Sequence, residues 1–307
     1  MLRIGIWFDA RHCCYGGPTL VLLGTLIGLI QDSVSTDRPI LILINENGDV
    51  NWVVQNIIDY DCVQRPVLGP LSLSHSDALC QEYSKHPLWN LSNQFIVPSK
   101  WFRDLVCCGL PFNDPVKAGS RKLTVWGSGV DTDFFQPGPT KKTHDYFIYF
   151  KSQKYMDLNK LNVYLFTNYF KLAGNTVTYY HYTPQMLKDE CHSSGFCFFM
   201  STTETQGLAA LEIMACDVPL FVLDCTVYTI ETIEAPATSV TCWDDRCGMK
   251  STLTTLETDF PIFFENVQKG VYKPREFVLE KYSFQKAAHE LRTILETTSV
   301  SREHHKS

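Results

Sequence analysis

The sequence predicts an α/β protein built from parallel sheets covered on both faces. Three observations carry this. Short apolar runs recur along the chain without clean two-residue alternation, as expected of strands buried on both sides. Helical stretches lie between many of them, the pattern of strand–helix–strand units. At 307 residues, 45% hydrophobic and 20% charged, with 17 Gly and 15 Pro, the composition is that of an ordinary globular chain. It excludes collagen-like, low-complexity and wholly disordered readings. At roughly 100–200 residues per domain the length suggests two domains, each with its own core.

Taken in order, Ile4–Phe8 in "MLRIGIWF" reads as a strand from the second residue, with no cleavable leader pattern. Thr19–Gln31 reads as a helix. Its apolar stretch, Thr19–Ile30, is shorter than the ~20 residues needed to span a bilayer, so a buried helix is expected. Ile40–Ile44 is a strand, Phe95–Val97 a strand leading into a helix over Lys100–Cys107, and Leu123–Trp126 a strand. Next comes "GSGVDTDFFQPGPTKKTHD", rich in Gly, Pro and polar residues, with a linker expected near Gln136–His144. The second half offers strands at Tyr146–Phe150, Val177–Tyr180, Phe196–Met200, Leu220–Leu223 and Val240–Trp243. Helices are expected at Asp157–Phe170, Pro184–Cys191, Leu208–Cys216 and Ser283–Leu295. The closing "TTSVSREHHKS", with its His304–His305 pair, reads as a frayed tail.

Charge narrows the partners. Lys and Arg number 27 against 33 Asp and Glu, a net charge of −6. A nucleic-acid binder would show a basic excess. The two halves divided after Gly138 each carry −3, and no polybasic run supports membrane docking. Twelve Cys are too few for a disulfide scaffold. Cys13–Cys14 and Cys107–Cys108 are adjacent pairs, no CxxC occurs, and no Cys/His cluster has zinc spacing. Buried free thiols in a reducing, cytoplasmic setting are the expectation. Asn90–Leu91–Ser92 is a formal glycosylation sequon, without meaning unless the chain is secreted.

The most informative segment is Met200–Asp224, "MSTTETQGLAALEIMACDVPLFVLD". A buried strand ends at Met200, a polar turn follows, a helix starts near Gly207 and a new strand starts at Pro219. In an open α/β sheet ligands bind at the carboxyl ends of strands. There the free amides and positive dipole end of a helix suit phosphate. Glu204 in the turn and Glu212 inside the helix would repel phosphate, so hydroxyls of a sugar or ribose are their natural partners. The Glu-x7-Glu spacing alone says little, since Glu257 and Glu265 repeat it.

The whole string says more. Ser201-x-x-Glu204, Gly207-Leu208, Leu211-Glu212, Met214-Ala215-Cys216 and Val218-Pro219 together resemble the donor-site signature of retaining nucleotide-sugar glycosyltransferases of family 4, which have the GT-B fold. Thr205-Gln206, Ile213 and Asp217 replace the family's Gly-Phe, Ala and Gly. "WGSGVDTDFFQP", Trp126–Pro137, is similar to the stretch joining the family's two domains. "FIVPSKWFRDL", "YGGPTLVLLGTLIGLI" and "YSFQKAAHELRTIL" resemble, less specifically, a strand-to-helix turn, the Gly-Gly loop with its helix, and the closing helix. The family's Gly-Arg after the first strand of the second domain is absent. Lys151 stands in its place, with Lys154 as a second cation.

The resemblance implies two Rossmann-like domains with parallel sheets facing a central cleft. These are an acceptor-side domain over 1–138, a nucleotide-sugar donor domain over 139–282, a closing helix over 283–296 that crosses back toward the first domain, and a tail over 297–307. It implies transfer of a sugar from a nucleotide diphosphate to a glycan, glycolipid or other hydroxyl acceptor, with retention of configuration, no metal and no cofactor. UDP- or GDP-sugars are the expected donors. By the same analogy Glu204 contacts the transferred sugar and Glu212 the ribose. Lys151 and Lys154 meet the diphosphate, helped by amides near Gly207 and Leu208 and by neighbouring Gln206. A leaving diphosphate gains charge in the transition state, which cations and amides stabilise. Lys offers a point charge where Arg offers a fork. Two solvated loop lysines are the competing reading. His75 is the candidate for a histidine placed near the donor sugar. Gly16-Gly17 allows close backbone approach to a ligand or merely a turn. Tyr182 lies beside the base or in an ordinary loop. A sugar-nucleotide epimerase or phosphorylase on the same fold, and a catalytically silent sugar-nucleotide binder, remain alternatives.

Overall fold

The computed structural model describes residues 1–8, 17–54, 62–64, 66–70, 94–108, 122–138, 141–151, 162–163, 166–168, 171–230 and 233–300. In chain order the first elements are β1 (Leu2–Trp7), α1 (Gly17–Thr36), β2 (Ile40–Ile44), β3 (Val50–Val53) and β4 (Pro66–Leu68). β5 (Gln94–Val97), α2 (Lys100–Cys108) and β6 (Lys122–Val125) follow. Then come β7 (His144–Phe150), β8 (Gly174–Thr178), α3 (Pro184–Ser193), β9 (Ser194–Met200) and α4 (Leu208–Ala215). The chain continues with β10 (Leu220–Leu223), the hairpin β11 (Val227–Ile230) and β12 (Ile233–Pro236), and β13 (Gly248–Ser251). It ends in α5 (Leu256–Gln268), α6 (Pro274–Lys281) and α7 (Phe284–Val300). Two compact units result: Met1–Gly129 with Tyr282–Ser307, and Val130–Lys281.

The first unit holds a six-stranded sheet in the order β2-β1-β3-β4-β5-β6, parallel throughout. Its core gathers Ile4, Ile6, Trp52, Phe95 and Val97, all fully buried. Trp52 and Trp126 meet edge to face at 6.0 Å. The Trp126 indole donates to the carbonyl of Ala287 at 2.8 Å, tying α7 to the end of β6. α7 lies along α1. There Asp32, 2% exposed, receives Arg292 at 3.3 Å and His289 at 2.8 Å. Two glycines set the approach of these helices: a Cβ added at Gly24 would strike the Phe284 ring, and one at Gly28 would strike the Phe284 carbonyl oxygen. Gly28→Ala is therefore expected to cost about 1–3 kcal/mol by overpacking. The check is a lowered urea midpoint at unchanged slope.

The second unit holds a five-stranded sheet in the order β13-β10-β9-β7-β8, also parallel. The "SGFCFFM" of β9 explains its place at the centre. Phe196, Phe198 and Met200 turn to one face, into a cluster with Phe221, Phe260, Phe263 and Tyr146. Phe199 turns to the other and stacks on Tyr149 at 5.0 Å.

Several expected elements differ. The strand expected at Val177–Tyr180 is β8, which starts and ends earlier, at Gly174 and Thr178. Val240–Trp243 is not a strand, because its polar groups bond to neighbouring loops, as described below. Gly248–Ser251 takes the edge of the sheet instead. The α1 helix extends beyond Gln31 to Thr36, and α7 extends beyond Leu295 to Val300. β3, β4 and the β11–β12 hairpin carried no sequence signal, being only three or four residues each. α5 went unread although Leu256, Phe260 and Phe263 share a buried face, because Pro261 sits inside it. Within the expected helix Asp157–Phe170, the described residues 162–163 and 166–168 are helical. Cys13–Cys14, Asn90–Ser92 and His304–His305 lie outside the described residues, as do the side chains of Cys107 and Cys108.

Candidate functional site

In the second sheet the first strand, β7, has β8 on one side and β9 on the other. The chain therefore winds outward in both directions from the β7–β9 seam. Beyond the carboxyl ends of two such strands the connecting loops diverge and leave a crevice. Lys151 directly follows β7 and Glu204 lies in the turn after β9. The Lys151 amide donates to the Met200 carbonyl at 2.9 Å, which brings the two chain ends together.

The side chains meet as well. Lys151 Nζ lies 2.6 Å from Glu204 Oε2, and Ser201 Oγ donates to Glu204 Oε1 at 2.9 Å. Glu204 is 5% exposed as a residue, so its carboxylate depends on protein partners. Lys151 also stands over the Tyr179 ring at 4.7 Å, a second attraction for the ammonium. Lys carries three N–H donors, and the bond to Glu204 uses one of them.

Past Glu204 the chain turns through Gly207, whose φ of 78° and ψ of 59° are left-handed. Glycine adopts this conformation without the strain a Cβ imposes. It lets α4 begin at once. The amides of Ala210 and Leu211 close on the Gly207 carbonyl, while those of Leu208 and Ala209 have no protein acceptor among the described residues. These donors sit at the positive end of the helix dipole, a setting that favours anions.

Glu212 lies on α4, partly exposed yet crowded by protein, and loss of water pushes its carboxyl up to about 7. Tyr182 is pushed up to about 12, chiefly by burial, with a contribution from the charges of Glu212 and Glu204. Its hydroxyl is 3.4 Å from that of Tyr149, and the rings meet edge on at 5.9 Å. The structure thus brings Lys151 onto Glu204, sets Gln206, Gly207 and Leu208 in the same turn, and places Tyr182 within electrostatic reach of both Glu204 and Glu212. Gly17 belongs to the other unit, as the first residue of α1. Gly16, His75 and Lys154 lie outside the described residues.

The turn is held from behind by Thr238–Thr241, the stretch bordering the unformed strand. Glu204 N donates to Thr238 O at 3.1 Å. Ser239 Oγ donates to Ser201 O at 2.7 Å, and Thr241 Oγ1 to Gln206 O at 2.6 Å. Lys250 fixes the stretch in turn, donating to Thr238 Oγ1 at 2.6 Å and Val240 O at 2.8 Å. Sequence reasoning missed these supports and also Tyr149 and Tyr179, since hydroxyl residues in loops and aromatics in strands carry no local signal. Ser201 was visible as part of the motif. Asp217, standing where the resembling family has Gly, keeps the left-handed backbone with φ 61°. Its carboxylate accepts the Arg275 amide at 3.3 Å. The Arg275 guanidinium bonds the Ala215 carbonyl, anchoring the far end of α4.

No protein-family model matches this chain, and no curated protein matches it. Solved structures do. The lipopolysaccharide outer core galactosyltransferase WaaB, in apo form, is 11% identical with a TM-score of 0.51, covering 96% of this chain and 100% of its own. Sucrose-phosphate synthase from Thermosynechococcus elongatus is 10% identical with a TM-score of 0.53, covering 98% and 100%. The pneumococcal O-GlcNAc transferase GtfA, in complex with UDP and GlcNAc, is 10% identical with a TM-score of 0.52 and covers 83% of this chain. The chain spans 58% of that GtfA chain and 57% of the chain matched in a GtfA/B complex. At these identities the likeness speaks for the fold. With its two parallel sheets covered by helices, the chain has the α/β architecture of the GT-B glycosyltransferases.

Proposed function

We propose that this protein is a nucleotide-sugar glycosyltransferase of the retaining, family 4 kind, moving a sugar from a UDP- or GDP-linked donor to a hydroxyl of a glycan or glycolipid in the cytoplasm. The observation that carries the reading is the Lys151–Glu204 pair at 2.6 Å, set at the β7–β9 seam near the α4 amides of Leu208 and Ala209, which have no acceptor among the described residues. A nucleoside diphosphate needs cations and N–H donors, whereas a sugar needs hydrogen-bond acceptors. This seam offers both, the cation from the end of β7 and the acceptor from the turn after β9.

In the proposed reaction the bond from the anomeric carbon to the distal phosphate oxygen breaks, and its electron pair leaves with the diphosphate. The acceptor oxygen bonds to that carbon and passes its proton to the oxygen of the leaving diphosphate. Lys151 and the Leu208 and Ala209 amides stabilise the charge gathering on the diphosphate. Glu204, an acceptor-only carboxylate when ionised, holds hydroxyls of the transferred sugar. Glu212 accepts from the ribose hydroxyls, and no metal or cofactor is required.

Titration calorimetry against UDP, GDP and ADP and their sugar conjugates tests this. Selective binding of one nucleotide is expected, weakened at least about tenfold, or ~1.4 kcal/mol, by Glu212→Ala and by Lys151→Ala. Absence of binding by folded protein would overturn the reading. Nucleoside diphosphate released only when an acceptor is supplied separates transfer from epimerisation or phosphorolysis. Binding without turnover across acceptors would leave a silent binder.

A further inference from the structure

α1 is apolar on the side it buries and also on the side it leaves in water. Its outward residues are Leu20, Leu23, Ile27, Ile30 and Val34, between 46% and 79% exposed. They recur at alternating steps of three and four, the spacing of a seam between paired helices. The other exposed positions on the helix are Gln31, Ser35 and Thr36, all uncharged. Its one ionisable side chain, Asp32, is turned inward to Arg292 and His289.

The helix leads through Asp37–Pro39 into β2, which ends the six-stranded sheet. β2 reads ILILI and exposes Leu41 and Ile44 at 40% and 45%. Soluble proteins blunt such edges with lysine, proline or a bulge, and Ile40–Ile44 contains neither residue. A helix with an apolar stripe in water and an apolar edge strand both call for a cover.

We infer that this face is covered by a second copy of the same chain, α1 against α1 and β2 alongside β2 about a two-fold axis. Charge speaks against a bilayer surface as the occupant. A helix lying on a bilayer carries Lys or Arg beside its apolar face. α1 carries neither, and the nearby Arg38 is neutralised by Glu296 at 2.8 Å. Two-fold pairing sets the uncharged exposed side of α1 against itself, without repulsion, and leaves the exposed Asp37 beyond the helix end. Covering the five exposed α1 side chains on both copies removes on the order of 1,000 Å² from water, the lower end for a specific interface, so a reversible dimer follows. The inference is independent of the donor site.

Sedimentation velocity of the full chain from about 1 to about 100 µM, a range that brackets micromolar affinity, tests it. The expected result is a shift from the 35.1 kDa chain to twice that mass. Ile27→Lys, Ile30→Glu and Leu41→Lys, each shown to be folded by circular dichroism, are expected to stay monomeric throughout. Val271→Lys, at an exposed apolar position of the other unit, is expected to dimerise like the parent. A parent chain monomeric at every concentration would overturn the inference, as would a dimer that survives Ile27→Lys. A monomeric parent that floats with neutral or anionic phospholipid vesicles would assign the face to lipid instead.

Discussion

Lys151→Met is expected to destabilise the protein by about 2 kcal/mol, and adding Glu204→Gln to the same chain is expected to recover most of that loss. Removing one partner of a buried ion pair weakens the compensation of the other charge, a loss that reaches ~3–5 kcal/mol in a deep interior where the whole compensation goes. The Lys151 side chain is 29% exposed against 7% for Glu204. Water therefore takes over part of its role, and the smaller figure applies. Ser201 remains as a donor to Glu204 but carries no charge. In the double variant no charge is stranded, so the pair goes at little net cost. Urea unfolding of the three variants near neutral pH is the measurement. Equal destabilisation of the single and double variants would refute a mutually dependent pair. Nucleotide binding is expected to stay weak in the double variant, which would separate the site's role in binding from its role in stability.

Glu212→Gln is expected to stabilise the protein in mild alkali while weakening nucleotide binding. Burial raises the Glu212 carboxyl from an ordinary value of 4.5 to about 7. Between those values the folded chain keeps a proton that the unfolded chain has released. Stability therefore falls as pH rises through this window, and the loss is complete above about 7. At about 1.4 kcal/mol per unit the loss is on the order of 3 kcal/mol. Glutamine stays neutral, so the variant is expected to be more stable by about that amount near pH 8 and equal to the parent near pH 4.5. Binding runs the other way, because two ribose hydroxyls are better held by a carboxylate than by an amide. Parent affinity for the nucleotide is expected to drop as pH falls below about 7, and the variant's weaker affinity to stay flat. Unfolding and calorimetric titration across that range check both halves. A variant with the parent's pH–stability curve would sink the argument.

The sequence was legible where structure depends on near neighbours in the chain. The runs in β1, β2, β7, β9 and β10 are apolar enough to declare buried strands, and the turn from Ser201 to Leu208 shows its carboxylate, its glycine and its helix start together. It was misleading at Val240–Trp243, an apolar run resembling a strand. The bonds made by Thr238, Ser239 and Thr241 go to the Ser201–Gln206 turn instead, and mixed-polarity Gly248–Ser251 joins the sheet. Pro261 hid α5 because local rules assign a proline inside a helix a cost that the packing of Phe260 and Phe263 offsets.

By itself, then, the sequence determined the fold class, most of the strands around which each sheet forms, and the identity of the acidic turn at Glu204. Only the tertiary structure decided which cation meets that acid. Lys151 is 53 residues away in the chain, and it reaches Glu204 because β9 pairs with β7 rather than with β8. Strand order is set by the packing of whole layers, a property of residues distant in sequence, and no local pattern records it.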